Sequence, residues 1–107
     1  MELGQNSVKG TGFKVNVSMT PIDNYHMEDV EWEVVVFTET SHKSITIEKK
    51  DAIKVDADNY VICVDSDVCG AGRYYVTLTA LIPDGDFPDN VRKERRTGFT
   101  GVTIDAR

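Results

Sequence analysis

Apolar residues recur at every second position along much of this chain, and that spacing constrains the fold more than any other feature. A period of two belongs to a strand with one dry face and one wet face. Phe13, Val15, Val17 and Met19 alternate with Lys14, Asn16 and Ser18. Val30, Trp32, Val34 and Val36 alternate with Glu31, Glu33, Val35 and Phe37, so the second half of that strand is apolar on both sides. Tyr60, Ile62 and Val64 repeat the pattern over 59–65, and Tyr74, Val76, Leu78, Ala80 and Ile82 carry it through the longest strand, 73–82. Ile45 and Ile47, then Ile53 and Val55, mark two short strands around the charged turn Glu48-Lys49-Lys50-Asp51, placed at sheet edges or crossing between sheets. No stretch shows the 3.6-residue period of an amphipathic helix, and Tyr25 to Asp29 has room for one turn.

Turn chemistry separates these strands at nearly regular intervals. Pro21-Ile22-Asp23-Asn24 ends the first, and Asp67 to Gly72 offers two glycines free to take positive φ. The densest break follows the longest strand: Pro83, Asp84, Gly85, Asp86, Pro88, Asp89 and Asn90 cannot continue a ladder. Val91 to Ile104 then supplies a last strand or hairpin, with Gly98 and Gly101 as bulge or turn points. About seven strands with this punctuation predict an all-β fold, an antiparallel β-sandwich. At 107 residues it is one domain, residues 12–107, behind a flexible N-terminal segment over 1–11.

Charge narrows the partners. The net charge of −6 and isoelectric point near 4.8 oppose binding to nucleic acid or an anionic membrane, both of which need a basic face. The basic run Arg92-Lys93-Glu94-Arg95-Arg96 is broken by a glutamate, has no interleaved aromatics, and reads as a solvated strand or loop edge. Met1 to Gly12 contains no apolar run, so neither a secretion signal nor a membrane helix is expected there. Cys63 and Cys69 do not match the spacing of a redox or zinc pair. A free pair is expected, with Cys63 packed as a small hydrophobe and Cys69 in a turn.

Candidate chemistry is sparse. His26 and His42 fall in loops without a second ligand at metal spacing, Ser41-His42 lacks a nucleophile elbow, and Gly70-Ala71-Gly72 runs into a strand where a phosphate site needs a helix. No catalytic residue and no cofactor is expected. Asp56 with Asp58, Asp65 with Asp67, and Asp84 with Asp86 and Asp89 offer oxygen ligands to calcium, but side-chain to backbone turn bonds explain the same residues and are preferred. Asp84, Asp86, Phe87 and Asp89 form the candidate binding loop. Asn16-Val17-Ser18 matches the glycosylation sequon, read here as chance. Trp32 shares parity with three valines and is expected in the core.

The face opposite the core carries Val35, Phe37, Val61, Cys63, Tyr75 and Leu81 where a solvated strand should be polar. Either loops fold over these side chains or they line an interface, and Val35, Phe37, Val61, Tyr75 and Leu81 are the candidate interface residues.

The order of Gly12-Phe13-Lys14-Val15-Asn16-Val17, a Trp-containing strand, Asp56-x-Asp58-Asn59-Tyr60-Val61-Ile62, a Gly-x-Gly turn and Ile82-Pro83-Asp84-Gly85-Asp86-Phe87-Pro88-Asp89-Asn90-Val91-Arg92 resembles small immunoglobulin-like β-sandwich domains of bacteriophage and prophage tail or baseplate proteins, similar to the N-terminal domains of receptor-binding and tail-fibre proteins. Antibody-type domains match less well, because both cysteines follow Trp32. The resemblance implies a non-enzymatic structural module that assembles through protein contacts, often as a homo-oligomer. It would be made in the bacterial cytoplasm and incorporated into a virion or tail-like particle. A carbohydrate- or ligand-binding module is the alternative, in which Tyr25, Phe87 or Phe99 stacks on a sugar ring.

Overall fold

A computed structural model of the chain describes residues 7–8 and 12–105. In chain order these form β1 (Ser7–Val8), β2 (Gly12–Ser18), a 3₁₀ turn (Met27–Asp29), β3 (Glu31–Thr38), β4 (Ser44–Glu48), a second 3₁₀ turn (Lys49–Asp51), β5 (Ile53–Asp56), β6 (Asn59–Asp65), the single helical turn α1 (Ser66–Cys69), β7 (Gly72–Pro83) and β8 (Val91–Asp105). Two sheets result, one in the order β1-β8-β7-β3-β4 and the other β2-β6-β5. All pairings are antiparallel except β1 with β8. The three hairpins β3–β4, β5–β6 and β7–β8 each stay within one sheet, and the links between them change sheets. This is the immunoglobulin sandwich: β2-β6-β5 correspond to strands B-E-D, and β8-β7-β3-β4 to G-F-C-C′.

The alternating residues meet between the sheets. Val15, Val17, Tyr60, Ile62 and Val64 from one face Trp32, Val34, Val36, Leu78, Ala80 and Ile82 from the other, and all are buried. Trp32 packs edge-on against Tyr60 at 4.9 Å between ring centres, and Phe13 against Tyr74 at 5.1 Å. β4 and β5 end the two sheets as edge strands, and the turn Lys49–Asp51 carries the chain from one sheet to the other. Val91–Asp105 is one continuous strand. Its pairing with β7 slips between Arg73 and Tyr75, close to Gly101, whose φ of 86° few side chains tolerate.

Three segments gain detail beyond the sequence reading. Of the segment 1–11 read as a flexible lead, Ser7 and Val8 pair with Ile104 and Asp105, and the remainder lies outside the described residues. That pairing uses backbone groups, so no hydrophobic period announces it. The cysteines exchange environments. Cys63 points outward opposite Lys14 and is exposed, whereas Cys69 is buried, its thiol facing the carbonyls of Lys43 at 3.5 Å and Val36 at 3.8 Å. Burial pushes the Cys69 thiol pKa up, which keeps it protonated and inert. Finally, the segment after β6 is a helical turn: the Asp65 carboxylate accepts from the Asp67 amide at 2.9 Å, and Gly70, at φ 77°, closes it with a bond to the Ser66 carbonyl.

Candidate functional site

The outer face of the five-stranded sheet follows from strand parity. With Trp32, Val34 and Val36 inside, Glu31, Glu33, Val35 and Phe37 point out, and the ladder registers place their neighbours in four rows. Running from β8 through β7 to β3, the rows are Lys93, Leu81, Glu31; then Arg95, Thr79, Glu33; then Thr97, Thr77, Val35; then Phe99, Tyr75, Phe37. The last row is a continuous aromatic strip. Phe37 stacks on Tyr75 at 5.7 Å with 21° between planes, and Tyr75 meets Phe99 at 5.4 Å. Phe99 remains 52% exposed and Leu81 36%. The Thr77 and Thr97 hydroxyls hydrogen-bond at 2.9 Å, so the middle of the face satisfies its own polar groups.

The opposite end is charged. A groove of about 450 Å³ runs among Glu31, Glu33, Thr79, Leu81, Lys93 and Arg95, with Trp32 at its floor and Glu48, Lys49 and Lys50 along its β4 side. Arg95 donates through Nε to the Thr79 hydroxyl at 3.3 Å. Among the described residues, neither Lys93 nor Arg95 is within ion-pair distance of a carboxylate, and neither Glu31 nor Glu33 of a cation. Within these three strands the basic side chains lie on β8, the acidic ones on β3, and the apolar Leu81 and Tyr75 between them on β7, while Glu48, Lys49 and Lys50 flank β3 on its other side.

The candidate interface residues therefore divide. Val35, Phe37, Tyr75 and Leu81 share this face. Val61, with Cys63, points outward from β6 on the other sheet, across from Asn16 and beside Ile53. Parity separates inside from outside but does not say which of two outsides a strand owns. Phe99 is the third ring of the strip; Gly98 and Gly101 mark bulge or turn points in the sequence, but the register that sets Phe99 opposite Tyr75 is fixed only by the pairing with β7.

The candidate binding loop caps the β7–β8 hairpin. Its ends close through a bond from the Asp84 amide to the Asn90 carbonyl at 2.9 Å, with Asn90 in the left-handed region at φ 59°. The Asp84 carboxylate accepts the Asp86 amide at 3.0 Å and Arg92 Nη1 at 2.7 Å. Asp86, Phe87 and Asp89 are exposed around it. The Asp86 amide bond repeats in the other two aspartate pairs: Asp56 accepts the Asp58 amide at 3.0 Å and Asp65 the Asp67 amide at 2.9 Å. Each Asp-x-Asp is an Asx turn, the reading preferred from sequence. Arg92 is the junction of this end of the sandwich. It pairs with Asp23 at 2.8 Å, Asp84 at 2.7 Å and Glu94 at 3.0 Å, tying the β2–β3 loop to the hairpin.

The aromatics proposed for sugar stacking do not converge. Phe87 sits on the hairpin loop, Tyr25 is partly buried against the core, and Phe99 lies eight positions beyond Val91 on β8, about 27 Å along the strand at roughly 3.4 Å per residue.

His26 is held more firmly than a loop position suggests. Its Nδ1 lies 2.9 Å from an Asp58 carboxylate oxygen, whose second oxygen accepts the Met27 amide at 3.0 Å. The hydrogen bond and charge of Asp58 raise the His26 pKa above 6.5, and the bonds from His26 and Met27 hold Asp58 below 3.8. A histidine with a raised folded pKa stabilises fully below its unfolded value and loses that contribution as pH climbs through the folded value. Asp58 does the reverse at its acidic limit. Thermal melts of the wild type are therefore expected to fall between pH 6 and 9 by more than those of His26→Gln; parallel curves would show that the pair adds nothing.

One further feature escaped the sequence reading. Tyr74, fully buried near the start of β7, donates its hydroxyl to the Gly70 carbonyl at 2.6 Å, with the Ser66 carbonyl at 3.3 Å. This is the tyrosine corner of immunoglobulin sandwiches, and its signal was present in the spacing of Gly72-Arg73-Tyr74 after a turn.

Comparison with known protein families, with curated proteins and with solved structures found no significant match to this chain. Among the described residues no helix is long and apolar enough to cross a membrane.

Proposed function

We propose that this domain is a non-enzymatic assembly module that docks to protein through the outer face of its β8-β7-β3 strands. The observation that carries the reading is the strip Phe99, Tyr75, Phe37, three aromatics in contact along one row, half-buried at Phe37 and Tyr75 and exposed at Phe99, on a sheet whose other side is already the core. Exposed apolar area of that kind is stabilised by a partner, and aromatic rings supply contact area at low entropic cost. On the sequence resemblance, the setting proposed for such a module is a phage or prophage tail or baseplate, where small sandwiches join larger parts.

Photo-crosslinking in the cell that produces the protein tests the reading. A benzophenone side chain at position 99 is expected to form discrete protein adducts, and one at position 14, on the outer face of the other sheet, is not. Adducts in equal yield from both positions, or from neither, would remove the docking face.

A further inference from the structure

We infer that the partner this face fits is a second copy of the chain, related by a twofold axis that runs along β7. The inference rests on the docking reading above and specifies its occupant. Two sheets packed face to face by a twofold must have that axis in the plane between them, so there are two simple choices, along the strands or across them. An axis across the strands would set the aromatic row on the charged rows. An axis along β7 keeps every row on itself and exchanges its ends: β8 of one copy lies over β3 of the other. Lys93 then faces Glu31, Arg95 faces Glu33, Thr97 faces Val35 and Phe99 faces Phe37, while Leu81, Thr77 and Tyr75 each meet their own counterparts; Thr79 is buried against Arg95 of its own chain. Both charge pairs and the ring pair occur twice in such a dimer.

The complementarity is more than a mixture of signs. The four charged groups have no ion partner within the chain among the described residues, and the apolar Leu81 and Tyr75 lie on the axis, where an interface is driest. The roughly 30° crossing of packed sheets displaces the rows progressively from the centre, a shift that long lysine, arginine and glutamate side chains can span. Size sets the strength. Three strands about 4.8 Å apart and seven residues of about 3.4 Å each make a footprint near 15 by 25 Å, about 375 Å² per copy, which is below the range of stable specific contacts and belongs to weak, transient ones. The dimer is thus concentration-dependent, and its charge pairs act chiefly on orientation and salt sensitivity.

Two charge-reversed variants of the full chain test the axis: Lys93→Glu with Arg95→Glu, and Glu31→Lys with Glu33→Lys. All four positions are exposed, so circular dichroism should match the wild type. By sedimentation equilibrium the wild type is expected to dimerise with rising concentration, and each variant alone to do so at least ~10-fold more weakly, because like charges now meet. An equimolar mixture of the two variants should recover the dimer. Both variants remain net negative, so bulk attraction cannot explain recovery. A wild type that stays monomeric to about 1 mM, or a mixture that fails to recover while the wild type dimerises, overturns the twofold. If the wild type is monomeric but position 99 still crosslinks to a different protein, the docking face stands and only its occupant changes; loss of both results removes both readings.

Discussion

Replacing Trp32 by alanine is expected to lower the stability of the domain by about 3 to 5 kcal/mol. The indole is 4% exposed, sits between the sheets and meets Tyr60 edge-on at 4.9 Å, so truncation leaves a cavity that two ladders prevent from collapsing. In a domain of this size each kcal/mol shifts the melting midpoint by about 4 to 8 °C, so the variant should melt well over 10 °C below the wild type. Trp32→Phe separates packing from hydrogen bonding. The indole Nε1 finds no partner among the described residues, and removing an unpaired buried donor relieves a cost. The phenylalanine variant should therefore lose less than half of what alanine loses. Equal losses would show that Nε1 is in fact bonded, through water or otherwise.

Tyr74→Phe is the second large effect, expected at about 1 to 3 kcal/mol near neutral pH, because the Gly70 carbonyl loses its 2.6 Å donor in a buried corner. It also has a signature that simple loss of packing lacks. Burial, reinforced by the negative neighbours Asp65 and Asp67 and by the Cys69 thiol, pushes the Tyr74 hydroxyl up to about 12 from 10.0. A hydroxyl whose folded pKa is raised contributes stability that is complete below the unfolded value and lost as pH rises between the two. Two units correspond to roughly 3 kcal/mol. Denaturant melts of the wild type and Tyr74→Phe should accordingly converge between pH 10 and 12. Curves that stay parallel through that range would place the hydroxyl in water.

What the sequence revealed was parity, and what it withheld was partnership. Val15, Val34, Ile62 and Leu78 were assigned inward because the period of two is a property of each strand alone. Whether Val61 and Val35 share an outer face depends on which sheet each strand joins, which is decided by contacts some 40 residues apart. The aspartate turns were legible because an Asx turn spans two residues. Arg92 was not, since its partner Asp23 lies 69 positions away and nothing local distinguishes a junction from a solvated arginine. The cysteines were half legible: Cys63 sits on the outward parity its place in β6 gives it but is exposed instead of packed, and Cys69 lies in a turn, carried inward by a helical turn too short to show a period.

The ladder pattern also governs how the chain reaches this state. Three hairpins are local, but β2 must find β6 and β3 must find β7 across long intervening segments. Hairpins form in about 1 to 10 μs, whereas sandwiches dominated by distant pairings complete in milliseconds to seconds. The β7–β8 hairpin, with the most extensive ladder in the molecule, is thus ready long before β2 and β6 pair and pack over Leu78 and Val76. During that interval its inner side is an unprotected apolar surface, and the rate at which the β2-β6-β5 sheet closes over it sets how much of the chain folds and how much is lost to aggregation.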